Sequence, residues 1–130
     1  MSCFYPRFEF FYLRSIMDKV ARYREVIKQV LHKYAWDDKD PRLSEYEEQI
    51  VTDDEHGHYF LYGVGWEDYR RIHGCTIHID LRGEKIWIQQ DWTEEGVAGD
   101  LENLGVPKSD IVLAFHTPVR RKDIEEYAFA

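Results

Sequence analysis

The chain has 130 residues and is 44% hydrophobic, 15% aromatic and 32% charged. This length suits one domain with a single core, and so many aromatic and apolar residues argue against intrinsic disorder. The net charge of −8 excludes a uniformly basic, phosphate-binding surface. Nine acidic and only two basic residues lie within residues 37–55, however, so the remainder is nearly neutral and an association with DNA is not excluded.

The two cysteines, Cys3 and Cys75, lie far apart in the sequence, which favours reduced thiols over a structural disulfide. No apolar run reaches the roughly 18 residues that a membrane span requires. The N-terminus also lacks the pattern of a secretion signal. We therefore expect a cytoplasmic protein without a membrane association.

Residues 1–16 are rich in Phe and Tyr and show no helical stripe. We treat them as an N-terminal extension: either an extra strand or arm, or an upstream extension from a misplaced start codon. The pattern then predicts a helix over residues 17–35, because apolar residues recur at helical spacing from Val20 to Tyr34. We expect the opposite face of this helix to be solvated, with contact to a partner or nucleic acid as the alternative. That face is basic, with Lys19, Arg22, Arg24 and Lys28.

Residues 36–46 form an acidic connector, after which the pattern changes to that of strands. A tight turn at residues 82–84 predicts a hairpin. The pattern predicts four strands, at residues 49–52, 58–66, 70–81 and 85–92. Alternation along the third strand predicts one face with Cys75, Ile77, Ile79 and Leu81, and the other with Thr76, His78 and Asp80.

The C-terminal part predicts two short helices, one at residues 99–104 and one from Pro118 to about residue 127. Residues 111–115 fit either a buried strand or a helical segment, because the run is too short to distinguish them. The order of elements predicts an α+β fold. Its parts are an N-terminal amphipathic helix, a four- to five-stranded mainly antiparallel sheet and short C-terminal helices.

Five stretches, in the same order, carry a resemblance to a known family. MDKVARYREVIKQVLHKYA begins at Met17, VGW lies at residues 64–66, and RRIHG follows at residues 70–74. KIWIQQD lies at residues 85–91 and GVPKSDIVLAFHTP at residues 105–118. Over residues 17–130, which we treat as a single XisI-like domain, the chain resembles the XisI family, the fdxN element excision controlling factors.

The resemblance implies a small cytoplasmic cyanobacterial α+β protein. It implies a role, together with a second factor named XisH, in controlling programmed DNA excision by a site-specific recombinase. No catalytic residue comes with the resemblance. We therefore expect a non-enzymatic regulatory or accessory protein that contacts a XisH-like protein, forms homo-oligomers and associates with DNA only indirectly.

The six histidines do not form a motif that is specific for a metal or a catalytic site. The sequence has no C-x-x-C and no H-E-x-x-H. His73 and Cys75 lie two apart on one strand, but further ligands must then come from His56, His58 or His116. We predict no catalytic residue, no cofactor and no metal site, with an inert Cys75 in the core.

The predicted hairpin carries Asp80, Glu84 and Lys85, an acid-and-lysine combination that resembles the cation-holding centre of a nuclease. Arg82 interrupts this group, and the tip of a hairpin is exposed. We therefore expect a solvated turn rather than an active centre, and the chain is predicted not to be an enzyme.

The strongest functional candidates are aromatic and basic side chains, which are enriched where protein partners dock. The two basic clusters, at residues 70–71 and 120–122, would form one patch near Tyr69 if the fold brings them together. Three tryptophans lie on or beside strands and cannot all be buried in a monomer. The predicted partner or nucleic-acid interface comprises Arg70, Arg71, Trp66, Trp87, Trp92, Arg120, Arg121 and Lys122.

Three alternatives to an accessory subunit remain open. The first is a direct DNA-binding factor that uses the basic helix face and the arginine pairs. The second is an antitoxin-like inhibitor of a nuclease partner, in which residues 37–55 mimic nucleic acid through side chains such as Glu45, Glu47 and Glu48. The third is an uncharacterised enzyme.

Overall fold

In the computed structural model, which describes residues 7–35, 43–124 and 126–129, one long helix packs on one face of a five-stranded sheet. This architecture confirms the predicted α+β fold. The helices are α1 (Arg7–Ala35), α2 (Val97–Asn103) and α3 (Pro118–Asp123). The strands are β1 (Leu43–Asp53), β2 (His58–Glu67), β3 (Arg70–Arg82), β4 (Lys85–Asp91) and β5 (Ile111–Leu113).

The sheet follows chain order, with antiparallel pairs from β1 to β4 and a parallel pair between β4 and β5. Residues 111–115 therefore contribute a strand, one of the two structures that their pattern allows. Strand β1 begins at Leu43 rather than at residue 49, so the prediction of a connector up to residue 46 was wrong. Strand β1 lies at the edge of the sheet, where exposed acidic side chains are tolerated. These acidic residues interrupt the alternation of apolar and polar residues by which a strand is recognised in the sequence. Residues 36–42 lie outside the described residues.

Helix α1 is longer than predicted, because residues 7–16 are helical rather than a strand. Leu13 and Met17 are exposed, so packing contributes little to this first part of the helix. Adding turns to an existing helix is far easier than starting one, which explains helical structure without an apolar stripe. Among the described residues, no helix combines the length and apolar character that crossing a bilayer requires.

The C-terminal helices differ from the prediction at their ends. Helix α2 starts earlier because the Asp91 carboxylate accepts the N–H of Val97 at 2.7 Å, which stabilises a helix N-terminus there. Helix α3 stops at Asp123, short of its predicted end. Beyond it, the N–H of Ala128 donates a hydrogen bond to the Ile111 carbonyl of β5 at 2.9 Å and ties the C-terminal segment to that strand.

The core lies between α1 and the sheet face that it covers. The predicted helical stripe is confirmed, because all six of its described members from Tyr23 to Tyr34 are buried. Alternate residues of the three central strands meet this stripe. They are Tyr59, Leu61, Ile77, Ile79, Ile86 and Ile88.

A β-bulge in β3 changes the predicted faces of that strand. Ile77 pairs with Leu61, but Cys75 pairs with the next residue of β2, Tyr62, so Thr76 is an extra residue. One inserted residue moves the following side chains to the other face of the sheet. The prediction that Cys75 shares the core face with Ile77 was therefore wrong, and Cys75 lies half-buried on the opposite face.

Two glycines of the sheet provide a matched test of packing beside β1. A methyl group on Gly65 would lie 2.6 Å from the Cα of Tyr46, whereas one on Gly74 meets nothing within 4 Å. We expect Gly65→Ala to lower the free energy of unfolding by about 1–3 kcal/mol, because backbone must move to relieve the overlap. Urea unfolding should show little change, or a slight gain, for Gly74→Ala. Equal effects of the two substitutions would contradict this packing.

Helix α1 is also held by a polar contact that the periodicity does not reveal. The Tyr23 hydroxyl donates a hydrogen bond to Oδ2 of Asp110, and Lys19 forms an ion pair with the same carboxylate at 2.9 Å. Burial, and then the hydrogen bond to Asp110, raise the pKa of Tyr23 to about 12. The tyrosine is therefore a neutral donor throughout the ordinary pH range.

Two more lysines of α1 are paired in the same way. Lys33 lies 2.7 Å from an oxygen of Asp100, which also accepts a hydrogen bond from the hydroxyl of Tyr34. Lys28 lies 2.9 Å from Asp54 in the turn after β1. The prediction of a simply solvated basic face was wrong for Lys19 and Lys28, because both ammonium groups already bind carboxylates of other elements.

Candidate functional site

The sheet face that points away from α1, called the open face below, carries three of the eight predicted interface residues, which are Trp66, Arg71 and Trp87. Cross-strand pairs place Phe60 beside His78, and Asp80 beside both His58 and Trp87. A second bulge, at Gln89 in β4, turns its amide toward β3. We define the open face by Phe60, Tyr62, Trp66, Arg71, Cys75, His58, His78, Asp80, Arg82, Trp87 and Gln89.

A buried carboxylate lies at the centre of one half of this face. Asp80 is only 3% exposed, and its Oδ1 atom lies 2.7 Å from Nδ1 of His58 and 2.8 Å from Nε2 of His78. Its Oδ2 atom accepts a hydrogen bond of 3.2 Å from the Gln89 amide and a longer one, of 3.5 Å, from Arg82. An ionised carboxylate only accepts hydrogen bonds, so both imidazole nitrogens donate. We call His58, His78 and Asp80 the histidine–aspartate cluster.

Two opposing effects act on the pKa of the Asp80 carboxyl. Burial raises that pKa, because desolvation disfavours the charged form. The hydrogen bonds from His58 and His78 favour the charge and outweigh burial, so the pKa lies below its usual range. Asp80 is therefore ionised at neutral pH although water scarcely reaches it.

The sequence pattern did not predict this cluster, and the expected solvated turn was wrong for Asp80. The i, i+2 spacing of His78 and Asp80 on one strand was the available signal, because it puts both on one face. The third member, His58, required the register between β2 and β3. Glu84, at the hairpin tip, lies 3.8 Å from Lys19 of α1 and does not join the cluster.

The other candidate metal ligands make their own contacts outside the cluster. His56 contacts Asp53 at 2.8 Å, His73 packs edge-on against Tyr62, and His116 lies beside Phe115. The thiol of Cys75 donates to the Ile77 carbonyl at 3.1 Å. Burial raises the pKa of the Cys75 thiol, and the raised pKa disfavours a reactive thiolate.

Two tryptophans of the open face are each covered by arginine. The guanidinium of Arg71 lies 5.2 Å from the ring centre of Trp66. The ring of Trp87 is approached by Arg82 at 4.6 Å and by Arg121 of α3 at 5.7 Å. These separations suit cation–π attraction, which holds the guanidinium groups in place on the sheet.

The two basic clusters do not meet in one patch. Arg71 and Asp80, the neighbour of Trp87, are nine positions apart on β3. At about 3.3 Å per residue, this puts roughly 30 Å between the arginines of residues 70–71 and Arg121. Tyr69, between β2 and β3, is fully exposed and lies at the Arg71 end only.

The remaining predicted interface residues lie at the margins of these groups. Arg70 is exposed and lies 3.5 Å from Glu67. Arg120 and Lys122 are exposed on α3, and Trp92 is 76% exposed just after β4. Each is thus accessible, and their role in an interface stays a prediction.

Comparisons with known proteins agree on one family. The family model described as XisI protein matches residues 17–129. A crystal structure of a XisI-like protein from Anabaena variabilis is 38% identical, with a TM-score of 0.75, and the match covers 85% of this chain and 99% of that one. No curated protein matches.

A second solved structure supports the same assignment. The fdxN element excision controlling factor XisI from Anabaena variabilis is 26% identical, with a TM-score of 0.71. The match covers 86% of this chain and 99% of that protein. The family model spans nearly all of the sequence, and these structures share its helix and sheet. The chain therefore belongs to the XisI family.

Proposed function

We propose that this chain is a non-enzymatic accessory protein in controlled DNA excision, which acts by binding a XisH-like protein through the open face. The excision role rests on family membership and on the neighbour described as an excision controlling factor. The XisH-like partner follows from the resemblance of the sequence motifs. The choice of face rests on one observation, the stacking of arginines on Trp66 and Trp87.

Tryptophan and arginine supply much of the energy at protein interfaces, because both bury large area and also form polar contacts. Trp66 and Trp87 are half-buried already. Of the arginines over their rings, Arg82 pairs with Asp80, whereas Arg71 and Arg121 donate to backbone carbonyls, which leaves their charge for a partner. A partner with acidic side chains can therefore bind these guanidinium groups while it buries the rings. This chemistry favours a protein over a small molecule.

Direct DNA binding through α1 has less support. Phosphate binding requires lysines and arginines that are free to release counterions. Lys19, Lys28 and Lys33 instead lie within 2.9 Å of carboxylates of this same chain. Neutralising DNA phosphates there would require these ion pairs to break, so we propose that any association with DNA is indirect.

The nucleic-acid mimic alternative also has less support. Within the described part of the acidic segment, Asp53 contacts His56 at 2.8 Å and Asp54 pairs with Lys28. These two carboxylates are already paired within the chain, whereas Glu45 and Glu47 of β1 are exposed. Residues 37–42 lie outside the described residues.

We further propose that the protein is cytoplasmic and forms homo-oligomers. Trp92 and Phe115 are both exposed and line the same surface depression. Contiguous apolar patches on the surface mark interaction sites, whereas single exposed hydrophobic residues are ordinary. Trp92 also lines a depression with Arg70 and Arg71, so this association site adjoins the Trp66 end of the open face.

Co-expression of the full chain with the XisH-like protein of the same genome tests the proposal. We expect the two to co-elute in size-exclusion chromatography with light scattering, at a mass above that of either protein alone. In a gel shift at low salt, the chain alone should not retard DNA. Separate elution of the two proteins would overturn the proposal, and salt-dependent retardation by the chain alone would establish the DNA-binding alternative.

A further inference from the structure

We propose that the histidine–aspartate cluster is a binding site for one divalent transition-metal ion, with zinc as the probe. This inference is independent of the partner proposed above. Among the described residues, His58, His78 and Asp80 are the group whose three ligand atoms all lie within 4.8 Å of one another. Two imidazoles and one carboxylate are a ligand set that zinc and neighbouring transition metals prefer.

The present distances are close to those that a bound ion needs. Bonds of about 2.0–2.2 Å to nitrogen and oxygen put neighbouring ligand atoms of a tetrahedral ion roughly 3.3 Å apart. Nδ1 of His58 and Nε2 of His78 now lie 2.7 Å and 2.8 Å from the Asp80 oxygen. Small side-chain rotations that lengthen each of these two distances by about half an ångström would make room for the ion. Each imidazole then presents its lone pair, so its proton moves to the other ring nitrogen or is released.

Neighbouring side chains already orient the ligands. The Gln89 amide donates to the Oδ2 atom of Asp80, which leaves Oδ1 for the ion. The ring of Phe60 stacks on His78 with 4.2 Å between centroids and restricts its rotation. Contacts of this kind outside the ligand sphere typically change metal affinity by 10–100-fold, because they fix the orientation of each ligand.

The cluster is accessible from solvent on one side. The side chain of His58 is 46% exposed and that of His78 is 28% exposed, whereas that of Asp80 is 4% exposed. An ion can therefore enter between the imidazoles and come to rest against the buried carboxylate. Three protein ligands leave a fourth tetrahedral position, which water fills in such sites.

Arg82 is the charge that opposes a cation here. Its guanidinium lies 3.5 Å from Oδ2 of Asp80, on the side away from the two imidazoles, and its side chain is more than half exposed. The Arg82 guanidinium also stacks over the ring of Trp87, so it can stay on the sheet without its contact to Asp80. The repulsion is thus screened by solvent and leaves the Oδ1 side of the cluster open.

The test uses the full chain without a histidine tag, first freed of metal with a chelator. We expect a competition titration against a chromogenic chelator to show one Zn²⁺ bound per chain. His58→Gln and His78→Gln should each weaken that binding at least tenfold, whereas His73→Gln, on the same strand as His78 but outside the cluster, should not. With Co²⁺, the visible absorption band of the bound ion should disappear in the two cluster variants.

Thermal unfolding of the metal-free variants separates loss of the site from loss of the fold. Since His58 is nearly half exposed, His58→Gln should unfold within a few degrees of the unsubstituted protein. The proposal is overturned if the unsubstituted chain takes up no stoichiometric Zn²⁺. It is also overturned if both folded cluster variants keep full affinity, or if His73→Gln loses affinity to the same degree.

Discussion

Replacing Ile79 with alanine is expected to lower the free energy of unfolding by about 2–5 kcal/mol. Ile79 is fully buried in β3 and pairs with Tyr59 on one side and with Ile88 on the other. Truncation removes three carbon atoms from a close-packed core and leaves a cavity that central strands cannot close. Urea unfolding at neutral pH measures the change.

Val51→Ala is the control for the Ile79 substitution. Val51 lies on the edge strand β1 and is 49% exposed, so its truncation removes little buried area. We expect a loss of under about 1 kcal/mol. If Ile79→Ala were no more destabilising than Val51→Ala, the core between α1 and the central strands would be contradicted.

Asp80→Asn is expected to lower the free energy of unfolding by about 2 kcal/mol at pH 7, measured in the presence of a chelator. Hydrogen bonds to a charged group are worth roughly 1.5–3 kcal/mol, and the substitution replaces a carboxylate that accepts from His58, His78 and Gln89. The new amide also places an N–H group against donors. The variant should nonetheless fold, because asparagine has nearly the same shape.

The effect of Asp80→Asn should depend on pH in a defined direction. The pKa of Asp80 is lowered in the folded protein, so its charge stabilises the fold fully above the unfolded pKa of about 3.9. That stabilisation is lost as the pH falls through the folded pKa. The difference between the original chain and the variant should therefore shrink below about pH 4.

Asp68→Asn is the control for this dependence. Asp68 is exposed in the turn after β2 and has a φ of 51°, a conformation that asparagine adopts equally well. We expect a change within about 0.5 kcal/mol at each pH tested. A pH-independent loss for Asp80→Asn would show that the carboxylate charge does not stabilise the fold.

Features that depend on local periodicity were predicted correctly. The stripe from Tyr23 to Tyr34 repeats at helical spacing, and its members are buried in the structure. Features that depend on the register between strands were not predicted correctly. The bulge at Thr76 leaves no mark in the alternation, yet it moves Cys75 to the other face of the sheet.

The candidate site shows the same division. Trp66 and Arg71 were both singled out, but only strand pairing makes them neighbours. The histidine–aspartate cluster joins a residue at the start of β2 to two near the end of β3. Sequence patterns within one strand cannot reveal such a contact, because it is fixed by the pairing of distant segments.

The distribution of charge is explained in part by helix docking. Asp54, Asp100 and Asp110 each bind a lysine of α1, so some of the excess acid neutralises the helix within the fold. Arg71 and Arg82 on the open face are exposed, and so are Arg14 and Arg22 of α1. The choice of the open face as the binding surface therefore rests on the arginines that stack on its tryptophans rather than on charge alone.

A titration of the XisH-like protein with two arginine variants tests the use of the open face most directly. Arg71 stacks on Trp66 at 5.2 Å and Arg22 of α1 stacks on Tyr23 at 5.3 Å, so both substitutions remove one guanidinium from an aromatic ring. We predict that Arg71→Ala weakens partner binding at least tenfold, in line with an interface hot spot. Arg22→Ala should leave affinity unchanged. Equal affinity of the two variants, or a loss confined to Arg22→Ala, would contradict the account.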